Sequence, residues 1–209
     1  DGANQYLYGR DGNDTYVIGA DAGETFISAY AEEDDDTGVD TVRFSDFNLD
    51  DLVITQIDDA ASSYHEGIRF NWAGTGFAQI AKGSRDNIER YEFADEIVIN
   101  SFTFGDLGDD TLTGTSGHDY FEGRAGADVM FGGDGSDIFH FDNGDSNDVI
   151  KDFQNNTDTI QLDNFGFADV TEALTYASDI NGDAVFDFGG GDTLTIENAT
   201  LAQLANDLE

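Results

Sequence analysis

Cysteine and proline are both absent from the 209-residue sequence. Without cysteine there are no disulfides and no thiolate metal sites, which fits a cytosolic protein or an exported one stabilised by something other than cross-links. Basic residues are scarce, 8 in all. Binding a nucleic-acid backbone needs a clustered basic face, so nucleic acid is excluded as a partner, and an anionic membrane surface is disfavoured on the same ground. No apolar run approaches the roughly 18 residues of a membrane span. No basic-then-apolar leader stands at the start, so any export is expected to use a signal other than a cleaved N-terminal one. With 3 histidines and no thiol, zinc and copper are poor fits.

What remains is acidic and apolar together. Hydrophobic residues make up 39% and aromatics 12%, enough for a core, while 45 acidic residues leave a formal charge of −37. Such a charge opposes any compact state by self-repulsion, so a compensating cation is expected. Carboxylates and turn carbonyls are hard oxygen donors, and they favour calcium.

From residue 105 a period of nine runs through GDLGDDTLT, GTSGHDYFE, GRAGADVMF and GGDGSDIFH without a gap. Glycine holds the first and fourth places, at Gly105, Gly108, Gly114, Gly117, Gly123, Gly126, Gly132 and Gly135. Aspartate holds the sixth, at Asp110, Asp119, Asp128 and Asp137, and an apolar residue the eighth, at Leu112, Phe121, Met130 and Phe139. Looser units follow, NGDSNDVIK (143–151) and FQNNTDTIQ (153–161), which keep Asp148 and Asp158 sixth and Ile150 and Ile160 eighth. A more degraded set opens the chain, with Asn4, Asp14, Glu24 and Asp40 at the sixth place.

These units resemble the RTX nonapeptide family, whose G-G-x-G-x-D-x-U-x repeat binds calcium in a parallel β-roll. Within such a unit the first six residues turn and the last three form a short strand. Two units complete one coil, so unit n stacks on unit n+2 at about 4.8 Å, the spacing of neighbouring strands. Glycine permits the left-handed backbone and close approach that face carbonyls into the gap between turns. A sixth-place aspartate closes the cage, and calcium takes about six to eight such oxygens. In GGDGSD (132–137), Asp134 then contributes its carbonyl rather than its carboxylate. The expected pairs are Asp110 with Asp128, Asp119 with Asp137, Asp128 with Asp148, Asp137 with Asp158 and, in the first block, Asp14 with Asp40. Asn4 with Glu24 departs from the pattern and is expected to be weak or empty. Without the ion, two carboxylates about 5 Å apart repel by roughly 1 to 3 kcal/mol, so several calcium ions are expected to bind as the roll folds.

Between the blocks, DLVITQI, GIRFNWAG, FAQIA and EIVIN alternate as strands. The run from DTVRF to ERYEFADE resembles the β segment that follows degenerate repeats in RTX proteins, and it is expected to extend or cap the first roll. Arg69, Lys82, Arg85 and Arg90 fall there beside Tyr64, His65 and Trp72. A polysaccharide face around Trp72 and Arg69 is the alternative function, weighed against plain core packing. HEGIR (65–69) misses H-E-x-x-H because Arg69 replaces the second histidine on a strand-like pattern. No G-x-S-x-G, P-loop or dinucleotide fingerprint occurs, and Glu89 with Glu92 is an ordinary charged stretch, so no catalysis is expected.

The last 48 residues (162–209) read as a β-rich cap. Their GDTLTI and TLAQL runs resemble the uncleaved export region of proteins that leave by type I secretion. Asp179 and Asp183 in DINGD flank a hairpin turn rather than a calcium site. The expected architecture is all-β: degenerate repeats (1–43), a β segment (44–103), a β-roll (104–161) and the cap (162–209). A chain beginning within a repeat is expected to be part of a larger extracellular bacterial protein, with the type I secretion machinery as partner.

Overall fold

The computed structural model describes residues 5–9, 12–29, 38–57, 67–73, 76–81 and 88–209. The chain divides into two compact units, Asp1–Asn100 and Ser101–Glu209.

In the first unit, β1 (Gln5–Gly9), β2 (Thr15–Ile18), β3 (Glu24–Ala29) and β4 (Thr41–Phe44) alternate between two sheets. β1 runs parallel to β3, and β2 to β4. This is the coil that a period of nine produces, with odd strands on one face and even strands on the other. The antiparallel hairpin β5 (Val53–Ile57) and β6 (Gly67–Asn71) comes next, then β7 (Phe77–Ala81), β8 (Arg90–Glu92) and β9 (Val98–Ile99). β7 joins β3 in parallel and β8 joins β4, so the segment between the blocks adds another coil to the roll, and β5 and β6 extend its sheet.

One strand of the degenerate block turns over. Phe26 sits at the eighth place after Glu24 yet faces outward, edge-on to Phe77 at 5.4 Å, while Thr25 and Ile27 are buried. Glu24 lies opposite Phe77 in the register, so no carboxylate follows it in the stack. Asn4, Tyr64, His65, Lys82 and Arg85 lie outside the described residues.

The second unit begins at β10 (Ser101–Phe104), which pairs in parallel with β12 (Asp119–Glu122) and so belongs to the second roll. β14 (Ile138–Asp142) and β16 (Thr159–Asp163) complete that sheet. The facing sheet stacks β11 (Thr111–Thr113), β13 (Val129–Phe131) and β15 (Asn147–Ile150) in parallel. Between the sheets the six eighth-place side chains form one column: Leu112, Phe121, Met130, Phe139, Ile150 and Ile160, the last five fully buried. Phe121 and Phe139 stack at 5.0 Å.

The cap covers the last edge of each sheet of this roll, beside β15 and β16, which would otherwise present unpaired backbone. β19 (Asp192–Ile196) adds in parallel to β15 and carries β18 (Asp183–Gly189) and β17 (Ala177–Ile180) antiparallel behind it. On the other sheet, residues 207–209 run beside β16, where the Ile160 N–H donates to the Asp207 carbonyl at 2.7 Å and the Glu209 N–H to the Ile160 carbonyl at 2.9 Å. The β17–β18 turn places Asn181 and Gly182 at φ 58° and 103°, the two-residue hairpin that DINGD predicts. Asp179 and Asp183 accept from the N–H groups of Leu201 and Asn198. Among the described residues no helix is long and apolar enough to cross a membrane.

Candidate metal centre

Each sixth-place aspartate stands at the junction of a turn with the strand it feeds, and parallel register sets it over the aspartate two units earlier. Its Oδ1 accepts the backbone N–H of that earlier aspartate. The Asp110 N–H donates to Asp128 at 2.8 Å, Asp119 to Asp137 at 2.9 Å, Asp128 to Asp148 at 2.9 Å and Asp137 to Asp158 at 3.1 Å. In the first unit the Asp14 N–H donates to Asp40 at 2.9 Å. The structure therefore brings together all five aspartate pairs expected from the period, including those across the spacers.

The turns contain a second hydrogen-bond clamp. A fifth-place side chain accepts the fifth-place N–H two units later: Asn13 from Val39, Asp109 from Ala127 and His118 Nδ1 from Ser136. His118 thus carries its proton on Nε2. The sixth place reaches back one coil and the fifth reaches forward, so adjacent turns are tied in both directions.

Glycine is needed where turns touch. A Cβ at Gly126 would lie 2.6 Å from the Gly108 carbonyl carbon, and one at Gly135 2.7 Å from that of Gly117. At Gly105, Gly114, Gly123 and Gly132 a Cβ would meet the Oδ2 of Asp110, Asp119, Asp128 and Asp137. Carbonyls of Gly123 and Gly132 also crowd Gly105 and Gly114. Carbonyl and carboxylate oxygens thus converge in spaces that side chains would fill. Asp134 is exposed, as its third-place position implies.

Burial makes these carboxylates reluctant anions. Asp137 is pushed up to about 7 and Asp148 to about 8, by desolvation first and then by neighbouring carboxylates, against hydrogen bonds that hold them down. Desolvation also raises Asp119, Asp128 and Asp158. Asp128 and Asp137 are wholly buried, and the Oδ2 of each has no hydrogen-bond partner. A buried anionic oxygen without a donor is costly, and a hard cation is the natural complement. Among the described residues no three Asp, Glu or His side chains gather as a metal cluster. The columns offer carboxylates two at a time, beside backbone carbonyls, and that donor set suits calcium.

Four further carboxylates enter that the period does not mark. Glu89 takes the Asp40 N–H at 2.8 Å and so continues the first unit's column. Asp152, a spacer residue, accepts from Gly132 and Gly133 at 2.8 and 3.1 Å. Asp192 and Asp207 in the cap accept from Gly144 and Asn156 at 2.7 and 3.0 Å. GGGD before Asp192 echoes the repeat, but the other three have no local signal.

The model of the RTX calcium-binding nonapeptide repeat matches residues 104–139, four copies. Residues 104–139 are RTX calcium-binding nonapeptide repeats. RTX nonapeptide repeats bind calcium ions, and the oxygen-lined stacks of this roll are built from the glycine and aspartate places of the repeat. No curated protein matches the chain. Among solved structures it is similar to the extracellular lipase LipA from Serratia marcescens, at 15% identity and a TM-score of 0.43 over 98% of this chain. The chain spans 38% of that lipase's length.

Around the alternative site, Arg69 and Trp72 are half-buried. Arg69 donates to Gln79 at 2.6 Å and lies over the Phe77 ring at 4.4 Å, and Trp72 packs on Phe47 at 4.9 Å.

Proposed function

We propose that this chain is a non-catalytic calcium-binding β-roll module of an extracellular bacterial protein, folding as it binds the ion outside the cell. One observation carries the reading: Asp128 and Asp137 each bury an unpartnered carboxylate oxygen inside stacked, carbonyl-lined turns of the RTX segment. Asp110, Asp119, Asp148 and Asp158 complete the ligand columns of that roll, with Asp14 and Asp40 as a further pair in the first unit. A ligand that prefers the folded state stabilises it by linkage. At low intracellular calcium, repulsion among the carboxylates keeps the roll loose enough to thread a secretion channel. Calcium outside the cell then closes it from the cap.

A calcium titration followed by circular dichroism and calorimetry tests the folding step. The β signal is expected to grow with the ions bound, and an equal signal in excess chelator refutes coupled folding. Residues 162–209 are the proposed type I export region. Fused to a reporter, they should direct export only in cells that carry a type I exporter.

A further inference from the structure

The second place of each turn divides the carboxylates of the second roll into two kinds. At Asp106, Thr115 and Gln154 the backbone is not left-handed. Their N–H groups donate to Oδ2 of the aspartate in the same turn: Asp106 to Asp110 at 2.7 Å, Thr115 to Asp119 at 2.5 Å and Gln154 to Asp158 at 2.8 Å. These turns are closed, since each carboxylate receives a donor four residues back along its own chain.

Three other second places are left-handed: Arg124 at φ 66°, Gly133 at φ 93° and Gly144 at φ 106°. The Gly133 N–H goes to Asp152 and the Gly144 N–H to Asp192. The Oδ2 atoms of Asp128 and Asp137 are left buried without a partner. Asp148, in the third such turn, likewise gives up its second-place donor to the cap. These turns are open.

Resting on the calcium-binding reading above, we propose that the tight calcium sites of this roll are those at the open turns of Asp128, Asp137 and Asp148, whereas the carboxylates of the closed turns, Asp110, Asp119 and Asp158, add less to affinity. At Asp128 and Asp137 the Oδ2 has been stripped of water and offered no donor, so a cation relieves an unfavourable burial. A closed carboxylate already has a charge-assisted bond at Oδ2, so calcium relieves less there and shares the oxygen with the N–H. Each of the four stacked pairs in this roll contains at least one open member. Every stack therefore has a carboxylate that needs the ion, and Asp128–Asp148 has two.

Asparagine keeps an oxygen for the N–H of the preceding coil while removing the charge. Calorimetry on the full chain is therefore expected to show Asp128→Asn and Asp137→Asn weakening the tight phase about 10- to 100-fold, the value of one charged ligand. Asp119→Asn and Asp158→Asn each remove an already satisfied carboxylate from a shared stack and should weaken the same phase by a smaller factor, about 2- to 5-fold. In excess chelator, Asp137→Asn should retain more β signal than the parent, because its buried charge is gone, and Asp119→Asn should not. Closed-turn variants that lose as much affinity as open-turn variants overturn the division. If the open-turn variants fail to fold in saturating calcium, Asp128→Glu and Asp137→Glu, which keep the charge, should restore folding and tight binding; a failure of this rescue overturns the division. Failure of all four overturns it. A parent chain that takes up no calcium refutes the calcium reading itself, a result distinct from equal losses in the variants.

Discussion

Replacing Gly135 with alanine isolates what the close stacking of turns contributes. The new Cβ would sit 2.7 Å from the Gly117 carbonyl carbon and nearer still to its oxygen, at a φ of 133° that L side chains rarely adopt. The backbone strain alone is worth about 1 to 3 kcal/mol. Relieving the clash moves the two turns apart by roughly an ångström, because an ordinary carbon–carbon contact is about 3.5 to 4.0 Å. That movement strains the Asp119 N–H bond to Asp137 at 2.9 Å and the Ser136 N–H bond to His118 at 2.8 Å. Each is worth about 1 kcal/mol, and leaving a buried group unpaired costs more. The total expected loss is about 3 to 5 kcal/mol, a large share of a typical stability of about 5 to 15 kcal/mol. Gly144 is the control: its φ is 106°, but a Cβ there meets nothing within 4 Å. Gly144→Ala should therefore cost only the backbone strain. Urea denaturation of both variants in saturating calcium measures the difference. Equal losses would refute the argument, since they would leave only φ strain and no role for turn contact.

Asp128→Ala should destabilise the calcium-loaded roll by about 2 to 4 kcal/mol more than Asp134→Ala, because Asp128 is wholly buried and bonded to the coils on both sides while Asp134 is exposed; similar melting temperatures for the two would contradict this. Phe139→Ala empties the middle of the apolar column and should cost about 3 to 5 kcal/mol by the same assay. The pH response should change sign with calcium. Asp137 and Asp148 titrate at about 7 and about 8 when folded, above the 3.8 of an unperturbed aspartate. The folded state thus holds these protons more tightly, and their contribution to calcium-free stability is complete near pH 4 and lost as pH rises through 7 to 8. In chelator, the folded fraction, read as β signal by circular dichroism, should rise on going from pH 8 to pH 5. Over the same range calcium affinity should fall, since protons compete for the carboxylates. Calcium-free stability that increases with pH in this window would contradict the assignment.

The nine-residue period reports only what repeats. It places Leu112, Phe121, Met130, Phe139, Ile150 and Ile160 in one column, and it pairs Asp110 with Asp128 and Asp137 with Asp158, because side-chain alternation and strand spacing act identically on every unit. Glycine at the first and fourth places is legible for the same reason, since only a residue without a Cβ fits between stacked carbonyls. The expected extension of the first roll is visible too, as strand patterns in DLVITQI and FAQIA. The sequence alone therefore determined the all-β roll, the hard-oxygen chemistry and the aspartates that meet. Tertiary structure decided the rest. Glu89, Asp192 and Asp207 become part of the columns only because distant strands dock on the open edges of each roll, and no local pattern encodes such pairings. The outward turn of Phe26 depends on β7 lying beside β3. Whether a carboxylate is satisfied or left bare depends on the backbone at Thr115 or Gly133, and on where Asp152 reaches once the coil has closed. Hydrogen bonds between turns join residues 18 to 51 positions apart, and those partners exist only after the chain has wound.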